Sequence, residues 1–113
     1  MCLAVIRVYF TIRHCSDCRR ACDTQAVARI TVPVEHFVFI QNEPYSFNSS
    51  VNVVRTFCVV CGTSLTYKYK ERDQETDITV GSLDYPERFP PTKNLFCRDR
   101  LAWLELSTKN IKM

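Results

Sequence analysis

The sequence predicts an all-β domain built from short strands. Three observations carry this. β-Branched and aromatic residues come in short runs separated by Pro, Asn and charged clusters, the composition of strands and their turns. Only two glycines occur, and no low-complexity segment or internal repeat interrupts the pattern. Two cysteine knuckles, Cys15-Ser16-Asp17-Cys18 and Cys58-Val59-Val60-Cys61-Gly62, each follow a strand-like run.

The first strand is expected over Val5 to Ile12, with the first knuckle after it. Arg19-Arg20-Ala21-Cys22 follows as a short turn of helix or coil. Val27 to Val32 forms the next strand, stopped by Pro33. Phe37 to Ile40 is another, closed by the turn Gln41-Asn42-Glu43-Pro44. Val51 to Phe57 runs into the second knuckle and Thr63 to Lys70 leaves it. In that strand Tyr67 and Tyr69 share one face, and Lys68 and Lys70 the other, a period of two. Arg72 to Glu75 is the hairpin turn, and Thr76 to Leu83 is the returning strand. Asp84 to Glu87 turns again, and Phe89-Pro90-Pro91 enforces extended chain. Asn94 to Cys97 makes a last short strand, and Trp103 is expected to cap the core.

A chain of 113 residues is one domain, residues 1–113. At this length only about two-thirds of the unfolded surface is buried, so a metal crosslink would help a modest core. The net charge of +3 is mild and the basic residues are scattered, which argues against nucleic acid as a partner. The apolar start, Met1 to Val8, is too short and too soon broken by Arg7 for a signal peptide or a membrane span. The seven cysteines are odd in number and mostly paired as C-x-x-C, which argues against a disulfide framework. A reducing compartment, the cytoplasm, is therefore expected, with no membrane association.

A C-x-x-C pair sets two thiolates on one tight turn, spaced for two corners of a tetrahedron. Zinc suits such a site, taking sulfur ligands at about 2.3 Å without redox chemistry. Gly62 permits the positive φ that lets the second knuckle fold back. Cys58 and Cys61 are expected to hold a structural zinc, the alternative being two buried thiols packed as small hydrophobes. Completing four ligands needs Cys2, water, a partner chain, or Cys15 and Cys18 shared as in a zinc ribbon.

Several segments resemble the glutathione-dependent formaldehyde-activating enzyme family, which also includes centromere protein V. His14-Cys15-Ser16-Asp17-Cys18-Arg19-Arg20 is similar to its first signature, and Thr56-Phe57-Cys58-Val59-Val60-Cys61-Gly62-Thr63 to its second. Asp77-Ile78-Thr79-Val80-Gly81-Ser82-Leu83-Asp84 and Arg100-Leu101-Ala102-Trp103-Leu104 resemble its C-terminal landmarks. The resemblance implies a β-tent, or Mss4-like, fold and two zinc ions. One is structural, on the C-x-x-C before Gly and an N-terminal C-x-C. The other is catalytic, on a C-x-C-x-x-C motif. The implied activity is that of a carbon–sulfur lyase acting on a thiol adduct such as S-hydroxymethylglutathione. This chain departs from the pattern at three places: Arg13 stands where the motif opens with Cys, Cys2 stands alone for the C-x-C, and Asn94 stands where His is frequent.

On this resemblance Cys15 and Cys18 are the reactive pair, with zinc as Lewis acid toward the substrate sulfur. Cys22, four residues past Cys18, is the best local third ligand if the two share one helical turn. The metal-ligand set is then Cys2, Cys15, Cys18, Cys22, Cys58 and Cys61, with Zn2+ as cofactor and glutathione as co-substrate. Arg19 and Arg20 would hold a carboxylate of the anionic thiol, and otherwise form an exposed basic pair. His14 either serves the metal or hydrogen-bonds locally, and His36 is a turn residue. Ser82 and Asp84 shape a turn, Cys97 is a buried thiol, and Phe57, Phe89 and Trp103 are core. A thioredoxin-like role fits less well, because that motif opens a helix between strands of a βαβ unit. The rival reading is a catalytically degenerate, zinc-stabilised module that binds protein or nucleic acid.

Overall fold

The computed structural model describes residues 9–40 and 43–104. Cys2 and the first part of the expected Val5 to Ile12 strand lie outside these residues. Seven strands follow in chain order: β1 (Tyr9–Arg13), β2 (Val27–Pro33), β3 (Tyr45–Ser50), β4 (Val53–Phe57), β5 (Ser64–Tyr69), β6 (Glu75–Thr79) and β7 (Lys93–Leu95). One short helix, α1 (Ser16–Cys22), lies between β1 and β2. The strands are hydrogen-bonded in the order β3-β4-β5-β6-β2-β1-β7. The fold is all-β as expected, but the sheet is mixed, because β1 and β7 run parallel. No helix among the described residues is long and apolar enough to cross a membrane. The described chain forms two compact units, one of residues 31–78 with Tyr9, the other of residues 10–30 and 79–104.

In the first unit β3, β4 and β5 form an antiparallel meander, with Phe47 opposite Arg55 and Arg55 opposite Tyr67. Threonines and charged residues occupy much of its interior: Thr31, Arg55, Thr56, Thr66, Thr76 and Asp77 are buried, beside Val53. Such groups are stable inside only when partnered. The Thr31 hydroxyl donates to Asp77 Oδ1 at 2.6 Å, and the Thr56 and Thr66 hydroxyls bond across the β4–β5 pair. Arg55 Nε donates to Ser49 Oγ at 2.8 Å, and its guanidinium lies 4.9 Å from the Tyr67 ring centroid.

One expectation changes here, and one strand is added. Phe37 to Ile40 is not a strand. A 3-10 turn at Val34–His36 precedes it, and the Phe37 amide bonds back to the Val34 carbonyl instead of joining a ladder. Val38 and Ile40 are left 74% and 89% exposed, so this apolar run does not feed the core. The strand beside β4 is instead Tyr45–Ser50, whose polar second half resembles a loop. Among the described residues its one strand neighbour is β4, and the backbone ladder, not side-chain burial, defines it.

In the second unit Ile12, Cys18, Val27, Ile30 and Val80 are buried together with Thr11, Arg13, His14, Arg29, Thr79 and Asn94. The Phe10 and Phe89 rings stack at 6.2 Å. The register places Thr11 opposite Lys93, Ile12 opposite Asn94 and Arg13 opposite Leu95. β6 ends at Thr79, four residues short of the expected Leu83, because the chain bends into a 3-10 turn at Val80–Ser82. Ser82 shapes that turn: its hydroxyl donates to the Thr79 carbonyl at 2.8 Å. Trp103 is 68% exposed and does not cap the core. Cys97 is half-buried at the start of a further 3-10 turn, Cys97–Asp99.

Candidate functional site

The first knuckle grows directly out of β1. The His14 amide donates to the Leu95 carbonyl at 3.0 Å, carrying the β1–β7 pairing one residue past Arg13. Cys15 then leaves the strand with extended dihedrals and caps α1, its sulfur accepting the Cys18 amide N–H at 3.3 Å. A side chain in this position takes up one of the amide donors that a helix start leaves unpaired. Asp17 in the first turn and Arg19 and Arg20 in the last complement the helix dipole. Asp23, at φ 50, ends the helix in the left-handed region, its amide bonded to the Arg19 carbonyl.

This turn brings Cys15 Sγ and Cys18 Sγ to 3.0 Å. Cys18 is buried and Cys15 half-buried. Burial, and after it the hydrogen bond to Cys18, push the Cys15 thiol above its ordinary range. Arg19 Nε donates to the His14 carbonyl at 3.3 Å, and Arg19 Nη2 to the Asp99 carbonyl at 3.4 Å. That guanidinium therefore straps the knuckle to the 97–99 turn, and Arg20 is the exposed cation of the pair.

Arg13 points inward. It is 5% exposed, its Nε donates to Thr11 Oγ1 at 3.4 Å, and its guanidinium lies 5.8 Å from the Phe96 ring centroid. Phe96 holds a left-handed backbone at φ 60, a conformation costly for a bulky side chain. His14 is fully buried, and its Nε2 lies 2.7 Å from Asn94 Oδ1. A carboxamide oxygen only accepts, so Nε2 is the donor of this bond, and Nδ1 has no partner among the described residues. His14 thus bonds locally. Its partner, Asn94, was visible in the sequence only as a departure from the family pattern.

The second knuckle connects β4 to β5 in the other unit. The Cys58 amide donates to the Thr63 carbonyl at 2.9 Å and the Gly62 amide to the Cys58 carbonyl at 2.8 Å, with Gly62 at φ 79. Cys61 is exposed, Cys58 half-buried, and Cys61 Sγ lies 3.0 Å from Thr63 Oγ1. The Thr63 hydroxyl, followed by its backbone and the Cys58 thiol, holds the Cys61 thiol below its ordinary range. A cavity of about 140 Å³ lined by Phe39, Pro44, Cys58, Val59, Val60 and Leu65 adjoins this knuckle.

Zinc needs four donors, or three and an open position. Among the described residues no three His, Cys, Asp or Glu side chains converge on one point. Each knuckle offers two sulfurs. Cys22 sits half-buried at the end of α1 and does not complete a three-donor group with Cys15 and Cys18. The first knuckle also fits zinc poorly in detail. Sulfurs at tetrahedral zinc stand about 3.8 Å apart, from the bond length near 2.3 Å, against 3.0 Å here. Arg13, two residues before Cys15, offers no further donor, because a guanidinium has no lone pair to give. The second knuckle fits half a site: its turn is preset, and a lowered thiol is the form a metal binds.

A family model described as glutathione-dependent formaldehyde-activating enzyme matches residues 5–99, a span that takes in both knuckles. No curated protein matches the chain.

Proposed function

Since this chain belongs to the glutathione-dependent formaldehyde-activating enzyme family, we propose that it acts on a small thiol adduct of the S-hydroxymethylglutathione type, as a carbon–sulfur lyase. The observation that carries this reading is the Cys15–Cys18 pair, two sulfurs 3.0 Å apart with Cys15 half-exposed. In the breakdown direction the adduct hydroxyl loses its proton, the carbon–sulfur bond breaks, and the departing sulfur takes a proton. The products are an aldehyde and a free thiol. In this reading Cys15, whose thiol burial pushes above its ordinary range, supplies its proton to the departing sulfur, and the hydroxyl proton restores the pair. Arg20, exposed beside the knuckle, supplies charge for a carboxylate of the thiol, and exposure makes that steering sensitive to salt.

Cys58 and Cys61 belong to a structural zinc site in the same proposal, with the remaining donors outside the described residues, where Cys2 lies, or from a partner chain. Zinc there supplies a crosslink between β4 and β5 and takes no part in the reaction.

A second reading has its own observation. Arg13, which stands in the sequence where the family motif opens with Cys, is buried, hydrogen-bonded and packed on Phe96, and its guanidinium cannot ligate. That favours a degenerate, non-enzymatic binding module. Nuclear magnetic resonance with isotopically labelled formaldehyde and glutathione separates the two. Faster adduct exchange with wild type, lost in Cys15→Ser, is the expected result. Exchange no faster than without protein, in wild type and in a folded Arg13→Cys alike, would leave the binding module.

A further inference from the structure

β3 lies at one edge of the sheet, and all six of its residues are exposed. Its side away from β4 carries a row of backbone amides and carbonyls with no strand partner among the described residues. Such an edge pairs with a further strand unless charge, proline, a bulge or short length guards it. The opposite edge, β7, is guarded by being three residues long. β3 has little guard: Tyr45-Ser46-Phe47-Asn48-Ser49-Ser50 carries neither charge nor proline. Its bulge falls between Asn48 and Ser50 and leaves Tyr45 to Asn48 in regular register. Apolar surface accompanies the edge. Tyr45 and Phe47 share one face, their rings 5.3 and 5.8 Å from that of Phe57. On the other face Ser46 and its ladder partner Thr56 line a groove of about 560 Å³ with Val38, Phe39 and Ile40. Val38 and Ile40 are largely exposed, so the groove is open and suits a broad partner better than a small ligand.

We propose that β3 is a dimer seam, pairing antiparallel with β3 of a second copy of this chain across a twofold axis at Ser46. Residues directly opposite on antiparallel strands point to the same face. Tyr45 of each copy therefore stands opposite Phe47 of the other, and the aromatic face continues across the axis. A twofold seam sets one surface against itself, and an uncharged strand does so without opposing like charges. The axis runs normal to the sheet, so both 38–40 segments stay on one face and flank the seam. Val38, Phe39, Ile40, Tyr45 and Phe47 leave roughly 600 Å² exposed in each copy, from their fractional exposures and side-chain areas of about 200 Å². Two copies bring about 1,200 Å² together, the lower end of what specific pairs bury. An unrelated extended peptide would satisfy the backbone row but would bring no second apolar segment. The seam uses neither knuckle, so its outcome does not depend on the lyase reading.

Sedimentation velocity of the reduced full-length protein, with and without a chelator, tests this between about 1 and 100 µM. Wild type is expected at twice the chain mass at the upper concentrations in both conditions. Phe47→Lys places a charge on the edge, the device that keeps natural sheets apart, and is expected at the chain mass with an unchanged circular dichroism spectrum. Ser46→Cys sets two thiols opposite each other across the axis, where Cβ atoms stand about 4.5–5.5 Å apart. Oxidised with glutathione disulfide, it is expected to yield a disulfide joining position 46 of the two copies, located by peptide mapping. Wild type at the chain mass throughout would overturn the proposal. So would a dimer that survives Phe47→Lys, or one that dissociates on chelation, which would place the contact at a bridging metal. A Ser46→Cys protein whose copies are joined only through native cysteines would count against it equally. The position-46 cross-link decides the matter even if Phe47→Lys fails to fold.

Discussion

Cys15 and Cys61 are displaced from the ordinary thiol range in opposite directions. Burial and the neighbouring Cys18 sulfur raise the first; the Thr63 hydroxyl and amide lower the second. A thiol alkylates as thiolate. At a pH between the two, Cys61 is largely thiolate and Cys15 largely thiol, so Cys61 reacts first. In zinc-stripped protein the iodoacetamide rate of Cys61 should therefore reach half its plateau at a lower pH than that of Cys15. Thr63→Val deletes the hydroxyl donor and should move the Cys61 profile upward without moving that of Cys15. Superimposable profiles, followed by peptide mass spectrometry, would contradict this. Arg13 belongs to the same scale. Its guanidinium is anchored by Thr11 and Phe96.

Among the elements, the two knuckles are made by different devices. The first is a helix cap: β1 ends, Cys15 caps α1, and Cys18 is carried inward on the first turn. The second is a reverse turn whose fold-back rests on Gly62 at φ 79. An added Cβ at Gly62 would meet nothing within 4 Å, so the cost of a side chain there is backbone strain alone. Gly62→Ala should lose about 1–2 kcal/mol, the penalty of a left-handed residue with a Cβ, and Gly62→Asn less. Urea unfolding measures this. An unchanged midpoint for Gly62→Ala would mean that the turn reorganises. Strand β3 was not legible at this scale, because Asn48-Ser49-Ser50 carries no apolar alternation and the ladder to β4 alone makes it a strand. Phe37 to Ile40 misled in the other direction: it has strand composition, but its first amide is consumed by a 3-10 turn.

For the whole molecule the testable quantity is metal. One zinc per chain is expected, lost in Cys58→Ser and Cys61→Ser and retained in Cys18→Ser. Because structural zinc binding is folding free energy, chelation should lower the thermal midpoint by more than about 10 °C, and Cys58→Ser should mimic it. A zinc-free wild type with the same midpoint would remove the metal from the account. The sequence by itself determined that the chain is all-β, where its knuckles fall, and which family it belongs to. These are properties of local composition, fixed spacing and residue identity, and they need no knowledge of what lies opposite. It also disclosed Arg13 and Asn94 as substitutions in the family pattern. Only the tertiary structure decided what those substitutions do: Arg13 turns inward onto Thr11 and Phe96, and Asn94 is carried by β7 to the buried His14 ring. It also decided which apolar residues are core, leaving Ile40 and Trp103 exposed while threonines and arginines go inside. The reason is that a buried polar group is stable only against a specific partner. Such partners come from strands distant in sequence, as Thr31 with Asp77 and His14 with Asn94 do, and their pairing is a property of register that no local pattern encodes.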